Sequence, residues 1–338
     1  MMLLSVLISP GVPDMTAPPV PDSGVELMPQ RAGSFSEGLW ELLRDAVASL
    51  EPELAEAAGL CLGVIAVVLL LSILQSVPGS ANKTAEFVGA VGICTVLLGA
   101  TNSMIHLGTE TITEISTYGK LLMGVMASAM AAQGGVSASG AIYAGTAVFD
   151  TVLIGLISRI LVPLIYIFLA LSTATAALGE DVLKKMSGFI KWLCTWCLKT
   201  ILYVFTGYIG ITGVVSGTTD AAALKAAKLT ISGMVPVVGG ILSDASEAVL
   251  VGAGVVKNAA GIYGILAILA VFTGPFLRIG CRYLLLKLTG AVCAVFGPKR
   301  CTDLIGEFTA AMGLVLAMTG SVCLLMLIST VCFLKGVG

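Results

Sequence analysis

Charged residues set inside long apolar runs are the side chains of this 338-residue sequence best placed to do chemistry. Asp150, Lys199, Lys257 and Lys287 each lie within or beside such a run, and Asn258 directly follows Lys257. A charge at the centre of a bilayer costs about 2.5–3.5 kcal/mol on insertion scales. Such residues face a bundle interior, pair with one another or line a water path. Asp150 is therefore expected to neutralise Lys199 or Lys257, and spacing does not choose between them. Lys199 and Lys287 can instead reach their ammonium groups out to the headgroups. Lys257 is deeper in its run, so Lys257 and Asp150 are the pair expected inside.

A second constellation runs from Leu229 to Glu247. It is a short apolar segment interrupted by Pro236 and Gly239-Gly240, then followed by Asp244 and Glu247. Proline removes a backbone donor and bends the chain, and paired glycines add freedom. The pattern is that of a broken or re-entrant helix. Such backbone survives at membrane depth only inside protein or beside a water-filled cavity. Pro236, Gly239, Gly240, Asp244 and Glu247 are thus the candidate pore or gate residues. The plainer reading is a kinked span packed on its neighbours.

Other chemistries find little support. Cys194 and Cys197 form a CxxC, but inside an apolar run rather than at a helix start after a strand, where redox pairs sit. His106 is the single histidine, which argues against a His-based metal site. Asn82-Lys83-Thr84 lacks the glycine that a Walker A loop needs before its lysine. Neither HExxH nor G-x-S-x-G occurs. The expectation is a protein without catalytic activity or cofactor, whose energy comes from a partner or a gradient.

The elements that hold these residues follow from composition. Only 11% of residues are charged and mean hydropathy is +1.03. A soluble domain carries about 25% charged residues, so this chain has too little polar surface to face water and must face lipid. A net charge of -2 with no basic patch argues against nucleic acid as a partner. The reading is all-α: a polytopic transmembrane helical bundle.

A span needs about 20 apolar residues. Gly59–Val77, Phe87–Leu107, Ala138–Ile157, Ile160–Leu178, Phe189–Val215, Ala248–Thr273, Phe276–Phe296 and Leu304–Leu334 qualify, which gives roughly seven or eight spans by that rule. Leu121–Ala132 and Leu229–Leu242 are half-length pieces. Residues 1–33 read as a signal-like remnant and a Pro-rich flexible linker. Residues 34–58 read as an amphipathic extracytoplasmic helix, with Phe35, Leu39, Leu42, Leu43, Ala46, Val47 and Leu50 on one side and Pro52 bending or dividing it. Residues 59–338 form the membrane domain. Lys83 and the Lys184, Lys185, Lys191 group are expected in the cytoplasm, with Glu110 and Glu114 in a loop opposite. Small-residue spacing at Gly59/Gly63, Gly140/Ala144 and Gly213/Gly217 predicts close helix contacts.

The strings KLTISGMVPVVGGILSDASEAV and VVKNAAGIYG, within Thr219–Gly264, and RYLLLKLTGAV, from Arg282 to Val292, carry a likeness. They resemble the stage III sporulation protein AE family of endospore-forming bacteria, and the likeness extends more loosely to Gly59. The resemblance implies a membrane component of a sporulation-specific channel or secretion complex joining mother cell and forespore. It implies the mother-cell-derived outer forespore membrane as location. The implied partners are the other stage III sporulation A-operon membrane proteins and the forespore protein Q, with a homo-oligomer possible. The alternative is a free-standing secondary transporter, which predicts internal repeats with two matching broken helices; Leu121–Gly135 is a weak counterpart to Leu229–Glu247.

Overall fold

The computed structural model describes residues 18–29, 35–76, 82–133, 135–234 and 239–335, with backbone alone at 35, 76, 82–83, 210, 212–234, 239–260 and 335. It is all-helical among the described residues. The elements are α1 (Asp22–Val25), α2 (Phe35–Ala48), α3 (Glu51–Ser76), α4 (Asn82–Ala132), α5 (Val136–Leu156), a π turn (Ile157–Leu161), α6 (Val162–Leu178), α7 (Asp181–Met234), α8 (Gly239–Phe296) and α9 (Lys299–Lys335). Six helical stretches among the described residues are long and apolar enough to cross a membrane: Glu51–Gln75, Thr84–Ala132, Val136–Leu178, Asp181–Ile209, Gly261–Phe296 and Lys299–Leu334.

Several apolar runs that read as separate spans are joined into single rods. Phe87–Leu107 and Leu121–Ala132 both belong to α4, so Glu110 and Glu114 stand in mid-helix and not in a loop. The sequence between the runs has no proline. The hydroxyls of Thr109, Thr111, Thr113 and Thr117 donate to carbonyls three or four residues back, so a polar stretch continues as helix. Pro275 likewise lies inside α8, joining Ala248–Thr273 to Phe276–Phe296.

Pro163 does leave a mark. Its ring would meet the carbonyl of Arg159 in an α-helix. The chain opens to a π turn at Ile157–Leu161, with the Val162 N–H reaching back to the Ile157 carbonyl, and α5 and α6 stay one 43-residue rod. At 1.5 Å per residue that rod is about 65 Å long, twice the roughly 30 Å of bilayer hydrocarbon.

The rods share one end. α4, α7 and α9 start there, and α6 and α8 finish there. Gly179 closes α6 in the left-handed conformation, φ 79, its N–H on the Thr175 carbonyl 2.8 Å away. A side chain at Gly179 would strike the Arg300 guanidinium at the start of α9. Arg300 pairs with Glu86 of α4 at 3.2 Å and Lys184 of α7 with Asp303 of α9 at 3.0 Å. These pairs border a 330 Å³ cavity that Glu180, Asp181, Lys299 and Glu307 also line.

Glycine lets rods touch, but not at the expected places. A Cβ on Gly59, Gly63 or Gly140 would meet nothing within 4 Å. Close approach occurs at Gly89 on Leu71, Gly108 on Val315, Gly119 on Met326, Gly145 on Tyr208, Gly261 on Leu334 and Gly264 on Leu122. In these six the glycine is met by the side chains of larger residues, not by a second small residue. Gly213 and Gly217 lie outside the described side chains.

At the N-terminus, α2 buries Leu42 and Ala46, with Leu50 just beyond it, but leaves Trp40, Leu43 and Val47 exposed as a second apolar stripe. α3 starts at Glu51 with Pro52 in its first turn, where a missing N–H costs nothing. The Pro-rich stretch is docked rather than free over 18–29. Gly24 packs on Val271 and Ser23 donates a hydrogen bond to Glu114 of α4. Val271 is the residue whose carbonyl Pro275 leaves without its helical donor.

Candidate functional site

Two groups of charge are taken out of water within the bundle. The first joins α4 to α5. These helices pack along each other, which brings Ser116 and Lys120 opposite Asp150. Asp150 is 0% exposed. Its Oδ2 accepts from Ser116 Oγ at 2.6 Å and lies 3.1 Å from Lys120 Nζ. Its Oδ1 is buried without a hydrogen-bond partner. The Lys120 side chain is 46% exposed, so the ammonium bridges interior and surface.

Hydroxyls continue from this carboxyl. One turn earlier on α5, Thr146 shares a 2.8 Å hydrogen bond with Ser329 of α9, both buried. α7 closes the other side. Phe149 packs edge-on to Phe205, centroids 5.4 Å apart, and the Tyr208 hydroxyl donates to the Ala141 carbonyl at 3.0 Å. By helix rise Asp150 lies roughly 40 Å from the shared end.

The second group joins α3 to α8. Arg282 is 8% exposed and donates to Glu56 at 2.9 Å and Glu53 at 3.5 Å. Arg278 lies 3.7 Å from Glu53. Arg282 Nε is buried without a partner, as is Thr101 Oγ1 of α4, and both residues line one small cavity. Here the carboxylates reach outward: Glu53 is 23% and Glu56 69% exposed in their side chains.

The sequence-derived candidates divide accordingly. Asp150 is fully buried, and among the described side chains its cation is Lys120 and not Lys199. Lys120 begins an apolar run and reads from sequence as a boundary residue; only the packing of α4 along α5 sets it across from Asp150. Lys199 is exposed on α7. Lys287 is exposed, its ammonium 5.7 Å from the Tyr283 ring centroid. Gly239, Gly240, Asp244, Glu247, Lys257 and Asn258 stand in α8, in the part described by backbone alone. Pro236 lies outside the described residues, between the end of α7 at Met234 and the start of α8 at Gly239. Arg282 and its two glutamates carried no sequence signal as a group; they are more than two hundred residues apart.

Among the described residues no cluster of three or more His, Cys, Asp or Glu could hold a metal ion. Cys194 is buried and Cys197 half-buried on α7, both as free thiols.

The family model of stage III sporulation protein AE matches residues 25–336. The chain belongs to that family. Stage III sporulation protein AE of Bacillus subtilis (strain 168) is 23% identical over 245 residues, which cover 71% of this chain. The chain spans 61% of the length of that curated relative. No solved structure matches. Both charge groups, and every sequence-derived candidate, fall within the residues that the stage III sporulation AE model covers. With its six apolar rods, this member of the family is a multi-pass membrane protein of sporulation.

Proposed function

We propose that the chain is a non-enzymatic membrane subunit of a channel or secretion complex that links mother cell and forespore after engulfment. Its place is the mother-cell-derived outer forespore membrane. Its partners are the other stage III sporulation A-operon membrane proteins and the forespore protein Q. The observation that carries this reading is the family match across nearly the whole chain.

The physical layout supports it. The shared end carries Lys184, Lys185, Lys299 and Arg300, and positive residues stay on the cytoplasmic side. That end is therefore the cytoplasmic one. A slab of about 30 Å from it reaches the level of Glu53, Glu56, Arg159, Lys199, Arg278 and Arg282, by helix rise. This belt of charge marks the opposite headgroups. α4, α5, α8 and α9 continue past it as a second tier that still exposes apolar side chains such as Val136, Tyr143 and Val148. Rods that leave the bilayer and remain apolar require protein around them, which a multi-subunit assembly provides.

The test is purification of the tagged, full-length chain in mild detergent from sporulating cells of an endospore former that depends on it. Co-purification of the A-operon proteins and protein Q is expected. A chain that purifies alone while those proteins sit together in another fraction would overturn the reading.

A further inference from the structure

Two lysines face one open groove on the membrane-spanning part of the bundle. Lys191 of α7 and Lys287 of α8 both line a 570 Å³ hollow whose floor is α9. By helix rise from Asp181 and Phe296 they stand about 15 Å and 14 Å from the shared end, near the middle of the roughly 30 Å slab. A lysine stem of about 6 Å does not reach a headgroup layer from there. Neither ammonium forms an ion pair among the described residues, and Lys287 has the Tyr283 ring 5.7 Å away. Asp303 is held by Lys184, and Glu307 lines the cavity at the shared end. A lone charge at this depth is costly and is met by a partner or by a water path.

The floor is shaped for a helix. Thr302, Gly306, Ala310, Gly313 and Ala317 follow at intervals of three or four residues, so they share one face of α9. That face runs about 22 Å, beyond the depth of one leaflet. A Cβ on Gly306 would meet nothing within 4 Å, unlike the glycines on which this chain's own side chains sit. The small residues leave room for something outside the chain. An acyl chain fits one leaflet only and brings no charge to mid-depth.

We propose that this groove seats a transmembrane helix of another membrane protein, which turns small residues to α9 and at least one carboxylate, at mid-depth, to Lys191 and Lys287. Small residues let the two backbones approach, and the carboxylate offsets the lysines inside the hydrocarbon. A second copy of this chain does not supply that helix. Among the described residues, the only carboxylate at this depth on the six rods is Glu307, half-buried in the shared-end cavity. The inference rests on the subunit reading above, through its placement of the slab, and names the kind of contact by which the chain joins its assembly.

A photo-crosslinking amino acid at position 310 of the full-length tagged chain, activated in membranes of sporulating cells, reads the occupant. Mass spectrometry of the adduct peptide identifies it. The same probe at Leu284, exposed on α8 outside the groove, is the control. Expected at position 310 is a transmembrane segment of another protein with Asp or Glu near its middle, absent at position 284. Lys191→Glu with Lys287→Glu should cut that adduct at least about tenfold, and Lys191→Arg with Lys287→Arg should keep it. Gly306→Leu, which fills open space, should abolish it. Adducts at position 310 with lipid alone, with a second copy, or with a segment that lacks an acid would overturn the proposal. So would an adduct that the paired Lys→Glu change leaves intact. If lipid alone is found while the A-operon proteins still co-purify, the groove assignment fails and the subunit reading stands. An acid-bearing helix from a protein outside that complex, lost on the paired Lys→Glu change, supports the groove and removes the subunit reading.

Discussion

The two buried charge groups solve one problem in opposite ways. At Arg282 the cation is inside and two carboxylates, Glu53 and Glu56, extend towards water. At Asp150 the anion is inside and a single lysine comes in from the surface. A guanidinium offers five donors and does not lose its proton, so it can stay buried only if anions are brought to it, and two are. The Asp150 carboxylate is met instead by one lysine and one hydroxyl, that of Ser116. The first arrangement is a fixed clasp between α3 and α8. The second joins a fully buried anion to a half-exposed cation.

The comparison can be broken at its most sensitive point. Lys120→Met strands the Asp150 charge, which typically costs about 3–5 kcal/mol. Thermal unfolding in detergent should show the largest loss of any single change here. Lys120→Met combined with Asp150→Leu removes both charges and should recover most of the stability. If the double variant is as unstable as the single one, the pair is not the cause.

Arg282→Met should cost less, about 2 kcal/mol, because the two glutamates left behind can turn to water. Gly179→Ala forces a left-handed backbone on a residue with a Cβ, at about 1–2 kcal/mol, and displaces Arg300 from Glu86. Smallest of all, Trp40→Ser with Val47→Ser should leave the unfolding of the isolated chain within about 0.5 kcal/mol, since both are exposed. A large effect there would mean that α2 packs more tightly than its exposure indicates.

Much of this architecture was legible in the residues. Scarce charge and long apolar runs required helices in lipid, and the cost of its charge singled out Asp150. The breaks were harder. The gaps at 158–159 and 274–275 read as separations between spans, yet the first falls in a π turn and the second inside a continuous helix. Glu110 and Glu114 read as a loop because polarity alone does not show that threonine hydroxyls satisfy themselves on the helix. Lys120 was missed for a different reason. Its partnership depends on how α4 and α5 pack along each other, which no local pattern shows.

The account depends above all on a lipid slab lying between the shared charged end and the Arg282 belt. In a chain with its native cysteines replaced, single cysteines at Lys185, Leu70 and Glu110 can be challenged with a thiol reagent that does not cross membranes. Labelling of position 185 only from the cytoplasmic side, of position 110 only from the opposite side, and protection of position 70 from both are predicted. Positions 185 and 110 labelled from the same side, or position 70 labelled as fast as either, would contradict it.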